Sequence, residues 1–312
     1  MALRIALFGQ ADFGKTCLER LIEEGHKISA VFAPPEGRRP DALAVRAEAL
    51  GLPLTRRRYY QKKDGAPIPG ALQSYRRMDI DLNVLASFTA FLPSAIATAP
   101  EHKSICFHPS LLPRFRGGAA LQWQIILGER ESGVSIFVPD EGVDTGPIIV
   151  QKGGIEIGAE DTTASLFFEK LSPLGVEAIV EEVIQIDAGQ ARPIAQNESQ
   201  ATFQGLVDDA VAAIDLERPA AEVDRLVRGC DPQPGAFVRF RGEPLRLYDA
   251  RLKPSPLHEP GRVISVDERG LQLTLRGGSL RVGRVRGERG KESARDFSAR
   301  TGMAAGERLE NG

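Results

Sequence analysis

Residues Ser104–Gly118 read SICFHPSLLPRFRGG, and residues Phe137–Gly146 read FVPDEGVDTG. Each stretch starts as a short apolar run rich in β-forming residues and changes abruptly into Pro, Gly and charged residues. This pattern predicts two buried parallel strands that each end in a loop. His108 stands at the end of the first strand, and Asp144 lies in the loop after the second. In open α/β sheets the site lies at the carboxyl ends of strands, so we expect neighbouring strands to bring these side chains together.

The segments around these two stretches alternate between strand and helix patterns. Strands are predicted at Leu3–Phe8, His26–Ala33, Leu52–Thr55, Ile80–Ala86 and Ile148–Ile157, and helices up to about Glu24 and at Asp41–Leu50, Ala119–Leu127 and Thr163–Asp187. Such alternation is typical of a mostly parallel sheet with helices on both faces. We therefore predict an α/β fold for the first part of the chain.

A different pattern begins at Gln204. A helix near Ala220–Arg228 is followed by short alternating runs that Gly-rich turns separate. This pattern predicts a small β-barrel or curled sheet. The polar segment Gln196–Gln200 marks the boundary, which divides the chain into an N-terminal domain, residues 1–203, and a C-terminal domain, residues 204–312.

Composition narrows the classes of function. The chain has 312 residues and a formal net charge of −2, which disfavours nucleic-acid binding through overall charge. No apolar run approaches the roughly 20 residues that a membrane span needs. The first residues run straight into a strand pattern without a signal peptide, and the three cysteines form no metal or disulfide pattern. We expect a cytoplasmic protein that has neither a metal site nor a membrane partner.

Four histidines occur in the chain, and His108 differs from the other three. His26, His102 and His258 stand beside turns or among polar residues, and we assign them to ordinary surface. His108 ends a buried strand, and its titration near neutral pH suits general acid–base chemistry, although a histidine there also serves to bond a carbonyl. A carboxylate beside the ring would favour its charged form and fix its orientation, so His108 and Asp144 are the candidate catalytic pair.

Two further patterns point to other ligands and are weaker. The loop Phe8–Gly14 (FGQADFG) follows a strand and opens a helix, but a dinucleotide fingerprint requires a glycine where Ala11 stands, so we expect no NAD. The basic run Arg56–Lys63 (RRRYYQKK) suits either nucleic acid or a solvated loop, and we favour the loop. A second basic group lies on the last β segments, at Arg276, Arg281, Arg284, Arg286 and Arg289.

The chain resembles the folate-dependent formyltransferase family, whose members use 10-formyltetrahydrofolate. The run His108–Ala119 (HPSLLPRFRGGA) matches that family's His-x-Ser-Leu-Leu-Pro-x-x-Arg-Gly signature, and Asp140–Gly146 (DEGVDTG) matches its second signature. The segment Arg218–Leu252 is similar to the C-terminal domain of methionyl-tRNA formyltransferases and of the hydrolase domain of 10-formyltetrahydrofolate dehydrogenase. The resemblance covers nearly the full chain and implies a Rossmann-like sheet followed by a small OB-like β-barrel.

One departure from the family pattern bears on the reaction. Most of these transferases carry Asn two residues before the catalytic His, whereas this chain has Cys106 there. The hydrolase domain of the dehydrogenase also lacks that Asn. Cys106, a short early loop and the slightly acidic charge together favour hydrolysis over transfer. Cys106 itself is interpreted as a buried, inert thiol.

The resemblance also implies roles for other residues. His108 would move the proton and hold the oxyanion, and Asp144 would orient His108 and the attacking water or amine. Folate would contact mostly backbone, and the remaining binding residues follow. The predicted folate contacts are Ala90, Phe91, Leu92, Val138, Pro139, Asp140, Glu141 and Gly142, and the predicted substrate loop contains Ser110, Arg114, Arg116 and Gly117.

The resemblance predicts the formyl donor and leaves the acceptor open. We expect removal of the formyl group from 10-formyltetrahydrofolate, with water or an unidentified amine as acceptor. The alternative is methionyl-tRNA formyltransferase, which the C-terminal domain and its arginines support. A sugar-amine N-formyltransferase and a folate-binding module without catalysis are less favoured. Retention of both His108 and Asp144 argues against the binding module.

Overall fold

The computed structural model describes residues 2–255 and 259–312, so His258 lies outside the described residues. The chain forms two compact units, each assembled from separate segments. The first contains Met1–Gly118, Ser132–Ile155 and Glu169–Phe203, and the second contains Ala119–Glu131, Glu156–Phe168 and Gln204–Gly312. The predicted boundary between residues 203 and 204 stays a prediction for the domains themselves.

The first unit is built on a seven-stranded sheet. Its strands are β1 (Arg4–Gly9), β2 (Lys27–Ala33), β3 (Leu54–Arg56), β4 (Leu82–Ala86), β5 (Ser104–His108), β6 (Glu131–Phe137) and β7 (Ile148–Glu156). Their order across the sheet is β3-β2-β1-β4-β5-β6-β7. The pairings from β3 to β5 are all parallel. The predicted mostly parallel α/β sheet is therefore confirmed.

The direction of β6 differs from the prediction. β6 runs antiparallel to β5, with Phe107 opposite Ile136 and His108 opposite Ser135. A loop of residues 138–147 joins β6 to its neighbour β7. The prediction of two parallel strands assumed that a helix between them would serve as the crossover, but that helix groups with the second unit.

The helices follow the predicted pattern, with additions. They are α1 (Ala11–Glu23), α2 (Ala42–Ala49), α3 (Pro69–Arg76), α4 (Ser94–Ala97), α5 (Ala120–Leu127), α6 (Thr163–Ser165), α7 (Ser172–Asp187), α8 (Asp209–Ala212), α9 (Ala220–Gly229) and α10 (Ala294–Thr301). The predicted helix Thr163–Asp187 is interrupted by a π-helical stretch, Leu166–Leu171. The helices α3, α4, α8 and α10 were not predicted.

The sheet has a topological switch point between β1 and β4. The chain winds outward from β1 to β3 and then returns to the other side of β1, so the connections that follow β1 and β4 diverge. Ligands bind outside the carboxyl ends of the strands at such a point. Gln10 follows β1 and Phe88 follows β4, and both line a cavity of about 310 Å³. A ligand-sized space therefore lies where the topology predicts one.

The two faces of β5 have different surroundings. Phe107 packs against the helical layer, where a Cβ on Gly175 of α7 would lie 2.3 Å from the Phe107 ring. Cys106 packs against an apolar cluster on the opposite face, which includes the stacked rings of Phe8 and Phe32. Because side chains alternate along a strand, His108 shares the face of Cys106.

The second unit contains a six-stranded sheet whose described pairings are antiparallel. Its strands are β8 (Phe237–Phe240), β9 (Glu243–Pro254), β10 (Val263–Asp267), β11 (Gly270–Leu275), β12 (Gly278–Gly287) and β13 (Gly290–Ser293). Their order is β10-β11-β12-β9-β8, with β13 paired to β12. Val223 and Val227 of α9 are buried in the hydrophobic core of this unit. The predicted small β-structure after Gln204 is confirmed as an antiparallel sheet.

One histidine assignment was wrong. His26 is buried rather than exposed, and its Nδ1 lies 3.3 Å from the Leu3 backbone N–H, which donates to it. Burial lowers the pKa of His26. A turn next to a strand looks polar in sequence, yet here the ring caps the start of β1.

Candidate active site

His108 is placed by its strand and held by a carbonyl. It is the last residue of β5 and only 5% exposed. Its Nε2 lies 2.8 Å from the Phe115 carbonyl oxygen. Because a carbonyl only accepts hydrogen bonds, Nε2 carries the proton and Nδ1 has the lone pair in the neutral ring. The end of β5 thus presents a histidine with a defined tautomer. Nε2 makes the predicted carbonyl contact, and Nδ1 has the lone pair for the predicted acid–base chemistry.

Asp144 faces the other ring nitrogen. Its Oδ2 lies 3.5 Å from His108 Nδ1 and accepts a 2.7 Å hydrogen bond from the Gly117 backbone N–H. The side chain is 20% exposed. Asp144 has φ 56°, in the left-handed region that Asp tolerates better than most residues. The structure therefore brings His108 and Asp144 together as expected, although through a loop that turns back after the antiparallel strand β6 rather than through the ends of two parallel strands.

The pKa of His108 moves in the direction opposite to the one expected. Burial lowers this pKa, and its effect exceeds the raising effects of the Asp144 carboxylate and the Phe115 carbonyl. The carboxylate was expected to favour the charged ring, but desolvation penalises a buried cation more strongly. His108 is consequently neutral near pH 7, with a lone pair on Nδ1 that faces the edge of Asp144.

The predicted substrate loop, residues 110–117, is held by one hydrogen bond of its own and by contacts from residues outside it. Ser110 is fully buried, and its Oγ donates to the Arg114 carbonyl at 2.7 Å. Arg114 is exposed and lies over the Phe115 ring. Gly117 has φ 101° and donates its N–H to Asp144, as described above. Substrate binding by this loop stays a prediction, and the loop's clear geometric role is to shape the His108–Asp144 pair.

Arg116 is the most heavily bonded residue of this loop. It is 7% exposed. Its guanidinium donates to both carboxylate oxygens of Glu198, at 2.9 and 2.6 Å, and to Gln196 Oε1, at 3.2 and 2.8 Å. The adjacent carboxylate raises the pKa of Arg116. These contacts direct the guanidinium into the protein.

The loop after β6 is closed on itself. Asp140 Oδ1 accepts from the Gly142 N–H at 3.0 Å and from Thr145 Oγ1 at 2.5 Å. A Cβ at Gly146 would lie 1.8 Å from the Val138 carbonyl oxygen, so only glycine allows the loop to close there. Of the predicted folate contacts in this loop, Asp140, Glu141 and Gly142 are exposed, and Val138 and Pro139 are half-buried. The exposed residues of this loop are accessible to a ligand, and their contact with folate stays a prediction.

The second predicted folate segment lies beside the switch-point cavity. Ala90 lines this cavity together with Gln10, Phe88 and Arg57. Phe91 is 63% exposed, and Leu92 is partly buried against the apolar cluster of this face. The cavity volume is at the lower end of the range for small-molecule sites, about 300–1,000 Å³. It therefore accommodates part of a ligand of folate size.

Sequence reasoning missed the contribution of the segment 196–202, because its polar residues Gln196–Gln200 were interpreted only as the boundary between domains. Thr202 Oγ1 accepts from the Phe115 N–H at 2.8 Å, and the Thr202 carbonyl accepts from the Arg116 N–H at 2.9 Å. Gln196 Nε2 donates to the carbonyls of Asp144 and Gly146, at 2.8 and 2.7 Å. The segment thus contacts both loops of the site. Its polar composition carried no signal that separates it from a linker.

Cys106 occupies the place of the family's Asn. Its Sγ lies 3.6 Å from the Phe107 carbonyl oxygen, and burial raises its pKa, with a further contribution from Asp144. The thiol therefore stays protonated and is a poor nucleophile. This agrees with its interpretation as an inert side chain.

Neither metal chemistry nor a membrane span has a candidate in the described ranges 2–255 and 259–312. Among these residues, no group of three or more His, Cys, Asp or Glu side chains is arranged to hold a metal ion. No helix within the same part of the chain is long and apolar enough to cross a bilayer.

Known proteins are similar to this chain over most of its length. The chain is 36% identical to mitochondrial 10-formyltetrahydrofolate dehydrogenase from Mus musculus over 261 residues, which is 83% of this chain and 28% of that protein. It is also 36% identical to methionyl-tRNA formyltransferase from Anaeromyxobacter dehalogenans over 309 residues, which covers 95% of this chain and 96% of that enzyme. The chain thus spans little more than a quarter of the dehydrogenase and nearly all of the transferase.

Solved structures share the fold. HypX from Aquifex aeolicus in complex with tetrahydrofolic acid has a TM-score of 0.73 at 19% identity, and the match covers 96% of this chain and 47% of HypX. The pattern of the formyl transferase family matches residues 3–183, and that of the formyl transferase C-terminal domain matches residues 207–301. The resemblance noted in the two signatures is confirmed, and the chain belongs to the formyl transferase family.

Proposed function

We propose that this protein removes the formyl group from 10-formyltetrahydrofolate and releases tetrahydrofolate. The observation that carries the proposal is the buried His108 imidazole, whose Nδ1 lies 3.5 Å from Asp144 Oδ2, in a chain of the formyl transferase family. The mouse relative is named for 10-formyltetrahydrofolate, and HypX was solved with tetrahydrofolic acid. Because the chain spans 28% of the mouse relative, the proposal is restricted to the formyl-removal step.

His108 acts first as a base and then as an acid. Nε2 is engaged with the Phe115 carbonyl, so Nδ1 is the nitrogen that accepts a proton. A water molecule loses this proton to Nδ1 as its oxygen adds to the formyl carbon. The proton passes from Nδ1 to N10 as the carbon–nitrogen bond breaks, which yields tetrahydrofolate and formic acid, and the acid ionises to formate. An amine acceptor in place of water would give a formamide by the same steps.

Asp144 supports the charged intermediate state of this cycle. When His108 takes up the proton, a buried imidazolium forms, and the pKa of the ring is already lowered by burial. The carboxylate at 3.5 Å offsets part of that cost. The Gly117 N–H donates to the same Oδ2 and holds it toward the ring. Asp144 is therefore a charge-stabilising and orienting group, as the family signature implies.

The oxyanion lacks the amide donor that most family members have. The Cys106 thiol is a weak donor, and it is a poor substitute for an Asn side chain. Losing one such donor costs about 2.7–4 kcal/mol of transition-state stabilisation. The Nδ1–H of the protonated His108 is one donor for the oxyanion until its proton passes to N10. We expect slow turnover compared with a site that has both groups.

Folate is proposed to bind at the carboxyl end of β4 and to extend toward the loop that follows the antiparallel strand β6. The predicted contacts Ala90–Leu92 follow β4, and the predicted contacts Val138–Gly142 follow β6. The switch-point cavity, which Ala90 helps to line, supports this placement because its walls combine apolar Phe88, Pro34 and Pro35 with polar residues such as Gln10 and Arg57. Aromatic rings of a folate would find apolar contacts there.

Water is the proposed acceptor, and methionyl-tRNA is the second candidate. The match to the Anaeromyxobacter transferase over 96% of its length favours tRNA. Against it, Arg281 is bonded to Asp267 at 2.9 Å, and Arg286 donates to the Pro234 carbonyl at 2.7 Å, so part of the basic group serves the second unit itself. Cys106 in place of Asn also favours hydrolysis, as noted in the sequence.

The test is incubation of the pure protein with 10-formyltetrahydrofolate and no acceptor, with tetrahydrofolate and formate measured over time. Catalytic release that is lost in His108→Asn but kept in the control His102→Asn supports formyl removal with water as acceptor. Folate binding without release, followed by release on addition of methionyl-tRNA, would identify the transferase instead. Failure to bind or turn over the folate under either condition would refute the proposed donor.

A further inference from the structure

We propose that Gln196 is a positioning residue that sets the Asp144 carboxylate opposite His108. This inference rests on the proposed function, because it assumes that Asp144 acts in the reaction. Gln196 lies 52 residues from Asp144 and outside both family signatures. Gln196 acts through the backbone of the Asp144 loop, by hydrogen bonds to the Asp144 and Gly146 carbonyls.

The side-chain amide of Gln196 is bonded at all four of its positions. Nε2 donates to the Asp144 carbonyl at 2.8 Å and to the Gly146 carbonyl at 2.7 Å. Oε1 accepts from Arg116 Nε at 3.2 Å and from Arg116 Nη2 at 2.8 Å. An amide has two donors and two lone pairs, and arginine only donates, so the two ends of this amide cannot be exchanged. Gln196 therefore joins the Asp144 loop to the Arg116 loop in one orientation.

The Asp144 loop needs such support because its backbone is strained. Asp144 has φ 56°, and residues in sparsely populated backbone regions persist only where the surrounding structure enforces them. The two carbonyls that Gln196 binds lie on either side of Thr145, so the amide fixes the turn directly after Asp144. Without these bonds the loop can relax, and the carboxylate then moves relative to His108.

Both ends of Asp144 are tied to neighbouring residues of one loop. The carboxylate accepts from the Gly117 N–H, and the Asp144 carbonyl is linked through Gln196 to the Arg116 guanidinium. Arg116 is held in turn by both oxygens of Glu198. The carboxylate position is thus set by a closed ring of contacts, in which Gln196 is the bridge between the two loops.

The same segment also holds His108, through a different residue. Thr202 Oγ1 accepts from the Phe115 N–H, and the Phe115 carbonyl accepts from His108 Nε2. The segment 196–202 therefore positions both members of the pair. Gln196 positions Asp144, and Thr202 positions His108. This division makes the two contributions separable by substitution.

The test uses two substitutions at one position. Gln196→Glu keeps an acceptor for Arg116 but loses both donors to the Asp144 loop, whereas Gln196→Met keeps only the shape. Gln200→Met is the control, because Gln200 is an exposed glutamine of the same segment. The measurements are kcat and KM for 10-formyltetrahydrofolate, the pH dependence of kcat, and the melting temperature.

The expected result is a fall in kcat of about 100-fold in both Gln196 variants, with KM within about threefold, since a displacement near 1 Å at a reacting group costs about that much. Asp144 raises the pKa of His108, so its displacement moves the acid limb of the profile to lower pH. A purely structural role predicts a lower melting temperature with the acid limb unchanged, and that result would overturn the inference. If Gln196→Met does not fold, Gln196→Glu decides alone.

Asp144→Asn, measured in parallel, separates this inference from the proposed function. If Asp144→Asn is slow but Gln196→Glu keeps the wild-type kcat, the positioning role is wrong and the proposed function stands. If Asp144→Asn itself keeps full turnover, the catalytic role of Asp144 fails, and the inference that depends on it fails with it.

Discussion

The carboxyl end of β5 and the segment 196–202 act on the same two side chains in different ways. β5 is a buried run of apolar residues, and it places His108 by regular strand geometry. The segment 196–202 has a single turn of 3-10 helix, Glu198–Gln200, and it acts through specific hydrogen bonds from Gln196 and Thr202. The strand β5 places the His108 side chain, and the segment 196–202 fixes the positions of the residues around it.

The precision of this site depends on side-chain contacts to its loops as well as on strand geometry. Backbone pairing places His108 opposite Ser135, whereas β6 ends at Phe137, opposite Cys106, so the loop of residues 138–147 has to turn back to bring Asp144 Oδ2 to within 3.5 Å of His108 Nδ1. Loops need side-chain contacts to reach the accuracy that catalysis requires. Substitutions at the strand end, in the loop and in the segment should therefore differ in the size of their effects.

Apart from the loss of His108 itself, the largest effect is expected for Asp144→Asn, which keeps the shape but removes the charge. The imidazolium formed during the reaction loses its compensating carboxylate, and we expect kcat to fall by about 10²–10³-fold, within the range for a general acid–base pair. Folate affinity should change little. Steady-state kinetics with a separate binding measurement checks this, and Asp209→Asn in the second unit serves as the matched control. A loss confined to KM would move Asp144 from chemistry to binding.

The next prediction concerns pH: kcat should fall about tenfold per pH unit on the acid side of its pH profile. Burial lowers the pKa of His108, so the active neutral ring should persist below the ordinary value of about 6.5. The unfolded chain then binds more protons than the folded one, and stability should also fall as the pH drops below about 6.5. An acid limb at or above pH 7 would contradict the direction given for His108.

Thr202→Val should reduce kcat about fivefold. The substitution removes the hydroxyl that accepts from the Phe115 N–H, while the backbone bonds of Thr202 to Pro113 and Arg116 remain. One neutral hydrogen bond contributes about 1 kcal/mol, which corresponds to that factor. Thr301→Val, which removes a local helical hydrogen bond in the second unit, is the control. Equal losses in both variants would mean that the effect is general destabilisation.

The smallest effect is expected for Glu198→Gln. Glu198 is 67% exposed, and exposed ion pairs contribute little because water screens them. The amide oxygen still accepts from Arg116, so we expect kcat to fall by no more than about twofold. If kcat instead falls as far as in the Gln196 variants, the charge on Glu198 is a main part of the contacts that hold Arg116 and Gln196. The difference described between β5 and the segment 196–202 would then be wrong.

The sequence predicted the part of the site that depends on local pattern. The apolar run before His108 and its abrupt end identified both the strand and its functional edge, because buried strands have a characteristic composition. The direction of β6 was not predictable in this way. A helix between two strands usually signals a parallel crossover, yet α5 belongs to the second unit, and β6 pairs antiparallel to β5.

Long-range polar contacts were the part that could not be predicted. Gln196 lies 80 residues from Arg116. Nothing in the sequence around it distinguishes a residue that joins two loops from one in a solvated linker. The prediction that His26 lies at the surface was wrong for a related reason, because its partner, the Leu3 N–H, is 23 residues away. Hydrogen bonds of single side chains have no periodicity, so the pattern of the chain does not record them.

The most direct test of the account is a double-mutant cycle on kcat for 10-formyltetrahydrofolate, with His108→Asn, Asp144→Asn and the double variant. If the two side chains work as one unit, the double variant should be about as slow as the slower single variant, since effects of residues that act together are not additive. Losses that multiply, with the double variant slower by the product of both factors, would show that His108 and Asp144 act independently and would contradict the central claim.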